Sequence, residues 1–299
     1  MEDEREVEEL FSEEFLRKLE RIKILSRKGK KGPTRGEHAA SRSGTSLDFL
    51  DYRKYQVGDD FRYVDWNVYG RSDKLFLKLF KSEEDLSIHL LLDASQSMGE
   101  GSPSKYFYAK RLAAALSYIG LSNLDRVGLA AFRQRLEEVH TPQRGQKSYS
   151  HLIRFLKEMP VEGETNINAS LTEYAETCKR PGVAVIMSDL LDPKGIRQGL
   201  ESLLLRKFDI ILFHILDHQE LSPSMRGYFI FEEVETHETR KINLDAGLIR
   251  LYQDRLEKYL KGIRDFCYSR GINYYLCDTN VPVEDFLIQY LSQGMVFTY

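Results

Sequence analysis

The rhythm of apolar positions changes at residue 86. From there, short continuous apolar runs alternate with stretches of helical spacing. Leu86–Leu92, Arg126–Phe132, Val183–Met187, Asp209–Leu216 and Tyr274–Cys277 read as strands. Runs without polar alternation are what strands buried on both faces require. Ser104–Leu121, Tyr149–Glu158, Asn168–Lys179, Lys194–Arg206 and Ala246–Arg270 read as helices. Leu136–His140 fits a short edge strand, and Tyr228–Val234 with Thr239–Leu244 a hairpin. Strands alternating with helices predict an α/β fold built on a doubly wound, mostly parallel sheet. No internal repeat is visible.

The pattern before residue 86 differs. Phe11, Phe15, Leu19, Ile22 and Leu25 recur at helical spacing and predict an amphipathic helix. Ser26–Gly44 is rich in Gly, Ser, Lys and Arg and reads as a linker. Residues 47–80 are dense in rings and charges, among them Arg53, Tyr55, Asp59, Asp60, Arg62, Asp65 and Trp66. Acids interleaved with arginines predict internal pairing rather than an aromatic and basic nucleic-acid surface. The expected division is an N-terminal helix and basic linker over 1–35, this ring-rich segment over 36–82 packed on the main domain, and an α/β domain over 83–299. With the segment packed, Trp66→Ala should lower stability.

Composition narrows the function classes. The chain has 299 residues, 42% hydrophobic and 30% charged, with a net charge of -3. That allows a large core and gives no global case for nucleic acid or an anionic membrane. Cys178, Cys267 and Cys277 are far apart and form no C-x-x-C, so neither a disulfide framework nor a zinc site is expected. No run approaches the apolar length needed to span a bilayer, and no apolar signal core opens the chain. A cytoplasmic protein without membrane insertion is the expectation.

The chemistry gathers where apolar runs end. Asp93-Ala94-Ser95-Gln96-Ser97 follows the first strand of the α/β region, and Ser188-Asp189 ends the Val183–Met187 strand. In open α/β sheets, ligands bind at the carboxyl ends of strands. Glu164-Thr165-Asn166 lies in a loop that opens a helix and can reach the same edge. Oxygen-only donors suit a hard divalent cation, Mg²⁺ with Mn²⁺ or Ca²⁺ as alternatives. Ser95, Ser97 and Thr165 would supply hydroxyls. Asp93 and Asp189 would supply charge, directly or through water. One position then stays open for a partner's carboxylate. Gln96, Met98, Glu164 and Asn166 are the candidates to touch that partner, and Asp192 is a candidate supporting residue. Taken singly, Ser95 and Ser97 could instead cap the next helix, and Asp189 could form an Asx-turn.

Asp93-x-Ser95-x-Ser97, Thr165 and Asp189 resemble the metal-ion-dependent adhesion site of von Willebrand factor type A domains. Tyr52-Arg53-x-Tyr55-x-x-Gly58-Asp59-Asp60-x-Arg62-x-x-Asp65-Trp66, with Arg71 and Lys78, resembles the hallmark of the bacterial domain-of-unknown-function 58 family. The likeness runs from about Gly44 onward. Met98 stands where some adhesion sites place a small residue, and many relatives carry N-terminal membrane helices absent here. The resemblance implies a von Willebrand factor A-like sheet and a Mg²⁺ site for protein binding. It also implies a MoxR-type AAA+ ATPase, or its client, as partner.

The leading expectation is therefore a non-enzymatic, metal-dependent interaction module. The alternative is a metal-dependent phosphohydrolase using Asp93 as phosphoryl acceptor. That reading lacks an acid/base two residues on, where Ser95 stands, and no Walker A pattern is present. A Ser-His-Asp hydrolase finds no G-x-S-x-G elbow. His89 and His214 fall inside apolar strands and read as core histidines; His218, beside Asp217, is the one held in reserve.

Overall fold

The computed structural model describes residues 49–56, 59–80, 86–232 and 239–292. The helix expected over Phe11–Leu25, the linker Ser26–Gly44, Gly58 and the hairpin's Glu233-Val234 lie outside them. The described residues fall into two compact units, 49–80 and 86–292.

In the smaller unit, β1 (Phe49–Lys54) pairs antiparallel with β2 (Phe76–Phe80). Between them lie a 3-10 turn (Phe61–Tyr63) and helix α1 (Trp66–Ser72), each started by an aspartate that accepts the first backbone N–H groups. Asp65 also accepts the Tyr52 hydroxyl at 2.9 Å. Arg53 meets Asp59 at 2.9 Å and Arg62 meets Asp60 at 2.6 Å. Tyr55 stacks on Phe61. The arginines thus find carboxylates close by in sequence, as their interleaving predicts. Trp66 is 58% exposed and meets Tyr69 edge-on.

The larger unit is the α/β domain. Its elements are β3 (Ser87–Asp93), α2 (Lys105–Ser122), β4 (Arg126–Phe132), β5 (Leu136–Gln143), α3 (Gln146–Glu158), α4 (Ile167–Thr177), β6 (Val183–Ser188), α5 (Arg197–Leu205) and β7 (Asp209–Leu216). A short helix α6 (His218–Leu221), the hairpin β8 (Gly227–Glu232) and β9 (Thr239–Leu244), helix α7 (Ala246–Ser269), β10 (Asn273–Asp278) and α8 (Val283–Ser292) complete it. Six strands form one sheet in the order β10-β7-β6-β3-β4-β5. Every neighbouring pair is parallel except β4 with β5.

The side-chain period of two distributes β3 between two cores. Ile88, Leu90 and Leu92 pack with residues of α2, α3 and α8. Leu91 packs on the opposite face with residues of α4, α5 and α7. The sheet is thus covered on both faces, which is why its inner strands read as unbroken apolar runs. The strands approach closely where β6 begins: a Cβ on Gly182 would lie 2.1 Å from the Ser87 carbonyl oxygen. Three elements exceed the sequence reading, the short helix α6 among them. The edge strand extends to Gln143 and runs antiparallel, and α8 follows the last strand.

Candidate metal centre

Asp93 is the last residue of β3, and β6 ends one residue before Asp189. The two strands are neighbours, with Leu92 opposite Met187, so both carboxylates leave the sheet at one edge. Ser95 and Ser97 follow in a tight turn, Gln96–Gly99 being a 3-10 helix. The loop before α4 is stitched to this turn. Gln96 N–H donates to the Gly163 carbonyl at 2.8 Å, and Glu162 N–H donates to the Ala94 carbonyl at 3.1 Å. Gly163 has φ +76, a conformation that favours glycine. Asn166 caps α4 by accepting Ala169 N–H, which fixes the backbone beside Thr165.

The two serine hydroxyls bond each other rather than capping a helix. Ser95 Oγ and Ser97 Oγ stand 3.2 Å apart. The cap of α2 is Ser104, and Ser95 makes no capping hydrogen bond. Thr165 is buried, and its Oγ1 finds no hydrogen-bond partner among the described residues. A buried hydroxyl left unsatisfied is costly. Asp93 is wholly buried. Its Oδ1 accepts Ser95 N–H at 3.0 Å and its Oδ2 accepts the Ser188 hydroxyl at 2.6 Å. Burial, then the nearby Asp189 charge, push its pKa up to about 6, against the pull of those hydrogen bonds.

Lys105 is the residue that sequence reasoning missed. It opens α2 yet is only 1% exposed. Its Nζ donates to Asp189 Oδ2 at 2.8 Å and to Glu220 Oε1 at 2.9 Å. Burial pulls its pKa down, but Asp189 and Glu220 outweigh that and the net shift is upward. Glu220 is placed by α6, where Asp217 and Glu220 form a reciprocal capping box. Asp189 Oδ1 accepts Leu191 N–H at 3.1 Å, the Asx-turn that was the alternative for this residue.

The supporting residues sort by contact. Asp192 accepts Ile167 N–H and Lys194 N–H, both at 2.8 Å, and so anchors the start of α4. His214 bonds the Asp189 carbonyl through Nε2 and the Tyr274 hydroxyl through Nδ1, each at 2.9 Å. Its pKa falls to about 4, chiefly through burial. His89 pairs with the Tyr174 hydroxyl at 2.7 Å, and burial lowers its pKa to about 4 as well. Both are neutral core histidines. His218 faces Asp278 at 2.8 Å.

Of the four partner-contact candidates, Gln96 is half-buried, Glu164 is exposed and bonded to Gln134, and Asn166 is the half-buried cap. Met98 is a correction. It is fully buried in the core with α2 and cannot face a partner.

A family model described as "Protein of unknown function DUF58" matches residues 51–259. The chain belongs to the DUF58 family. Among curated relatives of this DUF58 protein are the uncharacterized proteins Mb1516 of Mycobacterium bovis and Rv1480 of Mycobacterium tuberculosis. Each is 25% identical over 224 residues, covering 73% of this chain and 70% of the relative. Solved structures similar to it include the conserved hypothetical protein BatB from Bacteroides thetaiotaomicron, with a TM-score of 0.44 and 14% identity over 70% of this chain and 98% of that one. The SpRpn10 VWA domain gives a TM-score of 0.39 and 13% identity over 68% of this chain and 93% of that one. The DUF58 chain's own sheet order, its single antiparallel edge pair and the D-x-S-x-S turn after β3 make the domain von Willebrand factor A-like.

The oxygen donors of Asp93, Ser95, Ser97, Thr165 and Asp189 in this DUF58 protein are of the chemical type that a hard divalent cation takes. Among the described residues no three His, Cys, Asp or Glu side chains converge as a metal cluster. The candidate donor set is instead hydroxyl-rich, and Thr165, whose Oγ1 has no hydrogen-bond partner among the described residues, lies on the loop bonded to the Ser95 turn.

Proposed function

We propose that this protein is a non-enzymatic, metal-dependent protein-interaction module. Ser95, Ser97 and Thr165 would hold a Mg²⁺ ion by their hydroxyls, with Mn²⁺ or Ca²⁺ as alternatives. Asp93 and Asp189 would supply the balancing charge. Bound there, the ion offers a Lewis-acid position for a carboxylate on a partner protein. The partner class is a MoxR-type AAA+ ATPase or its client, in complex assembly or maturation, and the setting is the cytoplasm.

The single observation that carries this reading is the unsatisfied, buried Thr165 hydroxyl on a loop hydrogen-bonded to the Ser95 turn. What supports binding over phosphoryl transfer is Ser95, a hydroxyl standing two residues after Asp93 where an aspartyl phosphotransferase would need an acid/base carboxyl. Among the described residues no helix is long and apolar enough to cross a membrane.

The test is calorimetric titration of Mg²⁺ into the chelator-stripped protein and into Thr165→Val. The variant keeps the volume and removes the hydroxyl. Binding to the wild type that weakens at least about tenfold in the variant, the loss of one ligand, supports the site. Equal binding by both would remove Thr165 from it. A partner pull-down with and without chelator then reads the second half of the proposal.

A further inference from the structure

A buried lysine does not belong to an ordinary adhesion-type donor set, and Lys105 sits against one of its carboxylates. An unpaired buried ammonium is strongly disfavoured, so its position is set by what it touches. It touches Asp189 at 2.8 Å and Glu220 at 2.9 Å. With Leu191 N–H on the other oxygen, both Asp189 oxygens are engaged by this chain's own groups.

We infer that Lys105 is a resident counter-ion that sets how tightly this site takes a divalent cation. The inference rests on the metal-binding reading above. Asp93, Asp189 and Glu220 are three carboxylates, and Lys105 is one ammonium joined to two of them. Fully ionised, the group carries a net charge of about minus two, which one divalent cation neutralises. Without the lysine the same group would hold a dication more tightly and keep a net negative charge once loaded. Lys105 therefore trades metal affinity for a loaded site that repels an incoming carboxylate less. Asp189 acts on the cation by its field, as a positioning residue tied to Lys105 and to the His214 ring that holds its carbonyl.

The experiment is Mg²⁺ calorimetry on the full chain stripped with chelator, comparing wild type, Lys105→Met and Glu220→Gln. Removing the ammonium should tighten Mg²⁺ binding by about tenfold or more, as loss of a nearby like charge predicts. Removing the Glu220 charge should weaken it several-fold. Purely structural damage would weaken both, so the opposite signs are diagnostic. Lys105→Gln, which keeps a donor for Asp189 without charge, replaces the methionine variant if that chain does not fold. Unchanged or weaker binding in a folded Lys105 variant overturns the inference and leaves Lys105 a structural bridge. Mg²⁺ binding by the wild type alone keeps the metal reading intact in that case. Absence of binding in wild type and variants alike overturns the metal reading, and the inference with it.

Discussion

The Asp93 carboxylate should destabilise the metal-free protein at neutral pH, and Asp93→Asn should reveal it. Asp93 is wholly buried, and burial with the Asp189 charge raises its pKa to about 6. A folded-state pKa above the unfolded value means the fold prefers the protonated acid. That preference is fully present below about pH 4, the unfolded value, and is lost as pH rises through about 6. Above it, the ionised group costs roughly 3 kcal/mol of stability, by the usual conversion of a shift of this size. Asparagine removes the charge. It also forces the Ser188 hydroxyl, now a donor to Oδ2 at 2.6 Å, to turn and accept, which returns about 1 kcal/mol. The net gain expected is therefore about 2 kcal/mol at pH 8 in chelator, shrinking towards pH 5. Urea melts at both pH values measure it. Added Mg²⁺ should then stabilise the wild type and leave the variant unmoved, because only a ligand bound by the native state shifts the melt. A variant less stable than wild type at pH 8 in chelator, or a gain independent of pH, would refute the reasoning.

Further expectations follow from packing. Gly182→Ala should cost about 2–4 kcal/mol in urea melts, since its Cβ would meet a backbone oxygen that cannot rotate away. Leu92→Ala, at the centre of the sheet and 0% exposed, should cost about 2–5 kcal/mol by the same assay. Trp66→Ala should cost no more than about 1 kcal/mol of thermal stability, the worth of its edge contact with Tyr69. A large drop would show that its ring is buried in solution.

The sheet was readable because strands buried on both faces leave an uninterrupted apolar signature, as in Leu86–Leu92 and Asp209–Leu216. The site's loops were readable because a carboxylate and hydroxyls follow such runs directly. Helix α8 was missed although Val283, Leu287 and Tyr290, all buried, recur at helical spacing. The signal was present and short. Met98 follows the D-x-S-x-S turn and so reads as a partner-contact candidate, yet the 3-10 turn points it into the core. Lys105 had no local signal at all. It follows the Ser104 cap as any surface lysine would, and its burial is decided by Asp189 and Glu220, 84 and 115 residues away in the chain. Glu220 was half legible, since Asp217-x-x-Glu220 is a capping pattern, but its second bond was not. A buried ion pair between distant segments is a property of the assembled fold, and sequence reading reaches it last.

The position of β3 has a consequence for how opening motions distribute. Ladder hydrogen bonds from β4 and β6 flank it on both sides. Its amides from Leu90 to Leu92 can meet deuterated solvent only when the whole domain opens, so they should be among its slowest to exchange. The turn that begins at Asp93 is thus rooted in a strand of the well-protected sheet interior. Thermal fluctuation that reshapes the site must come through the loops ahead of α4 and after β6, while the Asp93 end stays fixed as their reference.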